Sequence, residues 1–115
     1  MCDFLAANLG LVARLLNAAC ETNYTEDSIA MVGRRIWTLT RLFNLREGFS
    51  RKDDSIPPRV CLDPLPEGNP KGKVVPEQDF QRMLSEYYKL FGWDDQGRPT
   101  RETLHELDLE DLASD

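Results

Sequence analysis

The sequence predicts an all-α domain of about four helices, two long, one medium and one short, with a long proline-rich loop between the second and the third. Three observations carry that reading. Large apolar residues recur at spacings of three and four from Ile29 to Phe43, and again from Phe80 to Phe91, the periodicity of one helical face. Gly48 and Gly92 stand just past those stretches, where a left-handed residue ends many helices. Five of the seven prolines crowd between positions 57 and 70, which keeps regular helix out of that interval.

The first helix is expected from about Asp3 to Cys20, with Asp3 as its N-cap and a run of leucine and alanine free of proline. Only Arg14, Asn17 and Glu21 form a polar strip, and a helix apolar nearly all round is a buried one. Either something outside the chain covers part of it, or a small alanine-rich core has this look. Thr25, followed by Glu26 and Asp27, opens the second helix, since a hydroxyl cap and early acids suit the positive end of the helix dipole. Ile29, Val32, Ile36, Leu39 and Phe43 give it a sustained stripe to Arg46 or Glu47.

Residues 48–75, a stretch of 28, are expected as a loop, interrupted at most by a helical turn near Asp53 to Ser55 or a brief strand at Lys73 to Val75. Pro76 suits the first position of the third helix, in which Phe80, Met83, Leu84, Tyr87, Tyr88 and Phe91 share a face. Trp93 is placed to fold back on the last turn. After a turn at Asp94 to Gly97, Thr100 caps a short fourth helix carrying Leu104 and Leu107, and the acidic tail from Asp108 is expected to fray.

With 115 residues, 41% hydrophobic and 30% charged, the whole chain, 1–115, reads as one globular domain, neither disordered nor fibrous. Asn8, Arg14 and Asn17 break its most apolar segment well short of the ~20 residues that span a bilayer, so no membrane role is expected. Asp3 stands where a signal peptide carries a basic residue. Cys2, Cys20 and Cys61 lie 18 and 41 residues apart, an odd count without a C-x-x-C pair. That pattern suits a reducing compartment, and the expected location is cytoplasmic.

The net charge of −6 divides into +1 over residues 1–60 and −7 over residues 61–115. Such a balance opposes nucleic-acid binding, which draws its affinity from a basic face. The interval 34–59 is locally basic, with Arg34, Arg35, Arg41, Arg46, Arg51, Lys52 and Arg59. Those forks suit phosphate or carboxylate ligands, or equally acids elsewhere in the fold or across an interface.

Sites of chemistry are sparse. Asp94-Asp95-Gln96-Gly97 fails as a calcium loop, because placing Gly97 at the sixth position puts Gly92 and Thr103 where acids are required. Asp53-Asp54 offers metal ligands or a general acid and base, against the plainer roles of surface ion pair and turn cap. His105, the single histidine, has no serine or cysteine arranged with it. Composition and spacing describe a helical domain without a complete active site.

Two stretches add a resemblance. Gly33-Arg34-Arg35-Ile36-Trp37-Thr38-Leu39-Thr40-Arg41-Leu42-Phe43-Asn44-Leu45-Arg46-Glu47-Gly48-Phe49-Ser50-Arg51-Lys52-Asp53-Asp54, with Ile56-Pro57 and Arg59, closely resembles a near-terminal segment of the tungsten-containing aldehyde ferredoxin oxidoreductases. Tyr87-Tyr88-x-Leu90-x-Gly92-Trp93-Asp94-x-x-Gly97-x-Pro99-Thr100, then Leu104 and Leu107, resembles the ending of the same family, with Phe91 where that pattern has arginine. The resemblance implies the last part of a helical C-terminal domain. The whole enzyme would oxidise aldehydes to carboxylic acids at a tungsten-bis-pterin centre and pass electrons through a 4Fe-4S cluster to ferredoxin.

Cys2 occupies the place of the family's fourth cluster ligand, which ends an Asp-x-x-Gly-Leu-Cys segment, and it is the one metal-site residue the resemblance implies. One thiolate cannot hold a cluster that needs four, so no cofactor is expected in the isolated chain. Cys20 and Cys61 are expected as core thiols. The implied partners are upstream domains of the same enzyme or a companion subunit. The alternative is a free-standing helical interaction module without enzymatic activity.

Overall fold

The computed structural model describes residues 8–112. Its elements in order are α1 (Leu9–Cys20), α2 (Glu26–Arg46), a 3-10 turn (Arg51–Asp53), α3 (Pro58–Leu62), α4 (Glu77–Phe91), α5 (Arg101–Glu106) and a second 3-10 turn (Glu110–Leu112). Among the described residues there is no strand, and one isolated antiparallel bridge joins Trp93 to Pro99. The fold class is all-α, as the apolar periodicity requires. No helix of the described residues is long and apolar enough to cross a membrane.

Local chemistry sets the ends of the longest helix. Thr25 and Ser28 form a reciprocal capping box at the start of α2: the Ser28 amide donates to Thr25 Oγ1 at 3.2 Å, and the Thr25 amide to Ser28 Oγ at 2.7 Å. At the other end Gly48, at φ +90°, takes the left-handed position that a β-carbon disfavours. It lets Gly48 N–H reach Leu45 O and Phe49 N–H reach Asn44 O, both at 3.0 Å, the paired bonds of a Schellman ending. Gly92, at φ +70°, ends α4 in the same way, with Trp93 N–H donating to Tyr88 O at 2.8 Å and the indole folded back on the last turn.

Four expectations change. The helix predicted from Asp3 begins at Leu9, because extended Asn8 caps it and accepts from Leu11 N–H at 2.8 Å; Asp3 lies outside the described residues. Nor is α1 buried: it packs on α2 with Ala13 enclosed, but Leu9, Leu11, Leu15 and Leu16 stay exposed. The long loop holds a fifth helix, α3, because Pro58 sits at the first helical position, where its missing N–H and fixed φ cost nothing. No strand forms at Lys73 to Val75, although Val75 N–H donates to Val60 O at 3.1 Å and ties the loop back to α3. Finally, the tail does not fray at Asp108. Leu109 is buried with Leu104 and Leu107, and a 3-10 turn follows.

The core is small. Leu104, Leu107 and Leu109 form a buried cluster against which Leu42 of α2 packs, and Tyr88 and Trp93 form an aromatic pair with ring centroids 5.9 Å apart. What positions everything else is the orientation of α2. Thr38 and Arg41 are buried, and Arg34 and Leu45 of the same face are half-buried. Val32, Ile36, Leu39 and Phe43, roughly 180° around the helix at 100° per residue, are exposed. The predicted stripe is therefore present as a stripe, but the chain encloses the opposite, polar face.

Candidate functional site

Arg41 is the centre of the enclosed face, with its side chain 6% exposed. Its Nη1 and Nη2 donate to the two carboxylate oxygens of Asp54 at 2.8 and 2.7 Å, and Nε donates to Gly97 O at 2.8 Å. The guanidinium carbon lies 5.6 Å from the Tyr88 ring centroid and 5.4 Å from that of Trp93, so cation–π attraction adds to the fork. Tyr88 Oη donates to Asp54 Oδ2. The Arg51 guanidinium carbon also lies 5.3 Å from the Tyr88 ring centroid, and Arg51 donates to Gln81 Oε1, Ser85 Oγ and Asp95 O at 3.0, 2.9 and 2.9 Å.

Four pieces of chain distant in sequence meet here: α2, the 3-10 turn after it, α4 and the 94–97 turn. Burial works against both charges of the Arg41–Asp54 pair. For Asp54, hydrogen bonds from Arg41 and Tyr88 and the charges of Arg41 and Arg51 outweigh it and hold the carboxyl below its ordinary value; for Arg41, the Asp54 hydrogen bond and charge outweigh it and hold the guanidinium above its own. Burial, with the Asp54 hydrogen bond and charge, pushes the Tyr88 phenol up to about 12. The network fastens α2, the turn after it, α4 and the 94–97 turn together. Gly97 completes it: at φ +72°, a β-carbon there would lie 2.8 Å from Tyr88 Cζ.

A groove of about 1090 Å³ runs beside α2. Leu39, Leu42, Phe43, Phe49, Leu104 and Leu112 supply its apolar lining, and Arg46, Arg98 and Arg101 bring three cations to it against one acid, Glu110. Glu110 is engaged by His105 Nδ1 at 2.9 Å. Arg98 and Arg101 form no ion pair among the described residues, and Arg46 lies 3.9 Å from Glu47.

The residues singled out from sequence fall mostly into structural roles. Asp53 caps the turn through Ser50 N–H at 2.8 Å, and Asp54 pairs with Arg41, so the two neighbouring carboxylates are not brought together as ligands. Arg34 pairs with Glu106 at 2.8 Å and Arg35 with Asp108 at 3.5 Å, which places the acidic end against the basic middle. Asp94 Oδ1 accepts from Gln96 and Arg98 N–H at 2.8 and 2.9 Å, closing an Asx-type turn.

Cys20 is exposed, which corrects its expected place as a core thiol. Cys61 is half-buried, with its Sγ 3.7 Å from Glu77 Oε2. Burial and the Glu77 charge push the Cys61 thiol up, away from the thiolate that binds metal. Cys2 lies outside the described residues. Among those described, no group of three or more His, Cys, Asp or Glu could hold a metal ion. Sequence reasoning missed the role of Arg41 and Tyr88, because contacts across 13 to 56 residues have no periodicity to betray them.

Comparison with known proteins gives one consistent answer. Residues 1–109 match the family described as aldehyde ferredoxin oxidoreductase, domains 2 & 3. The chain is 41% identical over 115 residues to the tungsten-containing aldehyde ferredoxin oxidoreductase of Pyrococcus horikoshii, covering 97% of this chain and 18% of that protein. It is 37% identical over 99 residues to the aliphatic sulfonate oxidoreductase, WOR-like subunit, of Pyrococcus furiosus, covering 81% of this chain and 16% of that one. Among solved structures, the active site complex BamBC of benzoyl coenzyme A reductase with 1,5-dienoyl-CoA matches 91% of this chain at a TM-score of 0.71 and 30% identity, over 14% of its own chain. The chain thus spans less than a fifth of the length of these relatives.

Proposed function

The chain belongs to the aldehyde ferredoxin oxidoreductase family, and from that membership we propose that it is one structural portion of an enzyme oxidising aldehydes to carboxylic acids, not catalytically complete alone. The match across residues 1–109 carries the reading. When bound in the whole enzyme, a tungsten-bis-pterin centre would supply the oxidation and a 4Fe-4S cluster the path to ferredoxin. This chain's part is to hold its helices rigid through the Arg41–Asp54–Tyr88 network and to contribute Cys2 as one cluster thiolate. Upstream domains of the same enzyme, or a companion subunit, provide the rest, in a reducing cytoplasm.

Anaerobic reconstitution of the 115-residue chain with iron and sulfide tests incompleteness. The expected product has far less than four irons per monomer and no stable cluster absorbance, and a stoichiometric four-iron cluster overturns the reading. In the whole enzyme, Cys2→Ser is expected to lower cluster iron and alter its electron paramagnetic resonance signal. An unchanged signal removes Cys2 as a ligand. The exposed stripe of α2 also favours a second reading, a helical interaction module without its own chemistry. Tungsten and iron measured in the assembly purified around the chain separate the two.

A further inference from the structure

We infer that the exposed face of α2 and the adjoining arginine-lined groove form the seat for an apolar, carboxylate-bearing segment supplied by the remainder of the oxidoreductase. This inference rests on the family reading. The starting point is the reversal in α2. Ile36 and Phe43 are 59% and 53% exposed, while Arg41 on the opposite face is enclosed. An apolar stripe normally gains by burial, so a helix committed to solvent on that side forgoes its principal stabilisation. A helix with a buried polar face inward and an apolar face outward is one placed between two bodies.

Area supports the same conclusion. The chain exposes 9261 Å², where a compact monomer of its mass exposes about 6,400 Å². The surplus is of the size that obligate interfaces bury, about 2,000 Å² and upward. More than four fifths of the length of the Pyrococcus horikoshii relative lies outside the matched region, so the family has ample chain to cover it. The stripe runs directly into the groove through Leu39 and Phe43, where Arg46, Arg98 and Arg101 outnumber Glu110. Charge complementarity therefore selects carboxylates in the occupant, and the apolar lining selects large aliphatic or aromatic side chains beside them.

The test uses the chain purified anaerobically from its own cells with whatever remains attached, beside the isolated 115-residue chain. Ile36→Cys and Phe43→Cys are labelled with iodoacetamide and read peptide by peptide, with exposed Glu86→Cys as the reference. In the isolated chain all three should label at similar rates. In the whole enzyme, labelling at 36 and 43 should slow tenfold or more relative to 86. Arg98→Glu combined with Arg101→Glu should cut recovery of the chain with the rest of the enzyme at least tenfold while leaving the helicity of the isolated chain unchanged.

Equal labelling in the whole enzyme, recovery from cells as a bare monomer, or protection of 36 and 43 already present in an isolated dimer each overturns the proposal. Aldehyde-dependent viologen reduction by the same preparation reports on the family activity separately. An active enzyme with unprotected 36 and 43 refutes this surface alone.

Discussion

Arg41 and Asp54 stand 13 residues apart in sequence and share a bidentate contact that most of the fold depends on. Asp54→Asn leaves a buried guanidinium without its counter-charge and is expected to cost about 3 kcal/mol, the lower end for a broken buried pair, because 28% of the Asp54 side chain still meets water. Chemical denaturation of the isolated chain measures it. The folded pKa of Asp54 is depressed, so its contribution is complete above the unfolded carboxyl value and is lost as pH falls through the folded one. Stability of the wild type should therefore decline on acidification below about pH 4, and that of Asp54→Asn should decline less. Tyr88 has the opposite sign. Its raised value, about 12, means a contribution present below the ordinary phenol range and lost as pH rises through it. Burial raises Tyr87 as well, so absorbance titration near 295 nm should show late-appearing phenolate from both residues, and Tyr88→Phe should reduce that late absorbance.

Helix α2 shows how much of an element can be read locally. Thr25, Gly48 and the spacing from Ile29 to Phe43 placed its ends and its two faces correctly, because capping and periodicity depend on neighbours within four residues. Which face turns inward was not legible. Hydrophobicity alone selects Ile36 and Phe43, whereas the structure selects Thr38 and Arg41, through partners in the turn and in the 94–97 segment. The same limit hid α3, whose five residues begin with a proline and carry no period long enough to see. Asn8 was not singled out as the cap of α1 because Asn and Asp both cap well and only the backbone decides where a helix begins. The inward and outward faces give an element-scale prediction. In the isolated chain Ile36→Glu should change stability by less than about 0.5 kcal/mol, while Leu107→Ala, at 2% exposure, should cost about 2 to 4 kcal/mol. Paired urea melts check both, and a large loss for Ile36→Glu would mean that the stripe is packed within this chain.

At the scale of the molecule, the described chain spans 51 × 38 × 21 Å with a radius of gyration of 18.1 Å. A compact domain of this length has about 13 Å. Small-angle scattering of the monomer should return a value near 18 Å, and a value near 13 Å would show that α1 and the loop collapse onto the core. The open shape follows from the inventory of buried groups. Leu104, Leu107, Leu109, Tyr88 and Trp93 make a core too small to gather α1, whose leucines stay outside it. Family membership explains that economy, since a portion spanning 18% of its relatives need not enclose its own apolar surface.

The candidate site divides in the same way. The arginine-rich interval was visible in composition, and its acids were visible in the tail, but the pairing of Arg34 with Glu106 and Arg35 with Asp108 required the chain to bring positions 72 and 73 residues apart together. Sequence by itself determined the all-α class, the ends of α2, the glycine ending of α4, the turn at Asp94 and the family, because those depend on short-range chemistry and on strings of residues that survive as strings. Tertiary structure alone decided that α2 buries its polar face, that Cys20 lies outside the core and that an arginine-lined groove is left open beside Phe43. The physical reason is that the Arg41 guanidinium, once enclosed, requires the Asp54 carboxylate and the Gly97 carbonyl together. Satisfying that charge fixes the helix rotation against the pull of its own hydrophobic stripe.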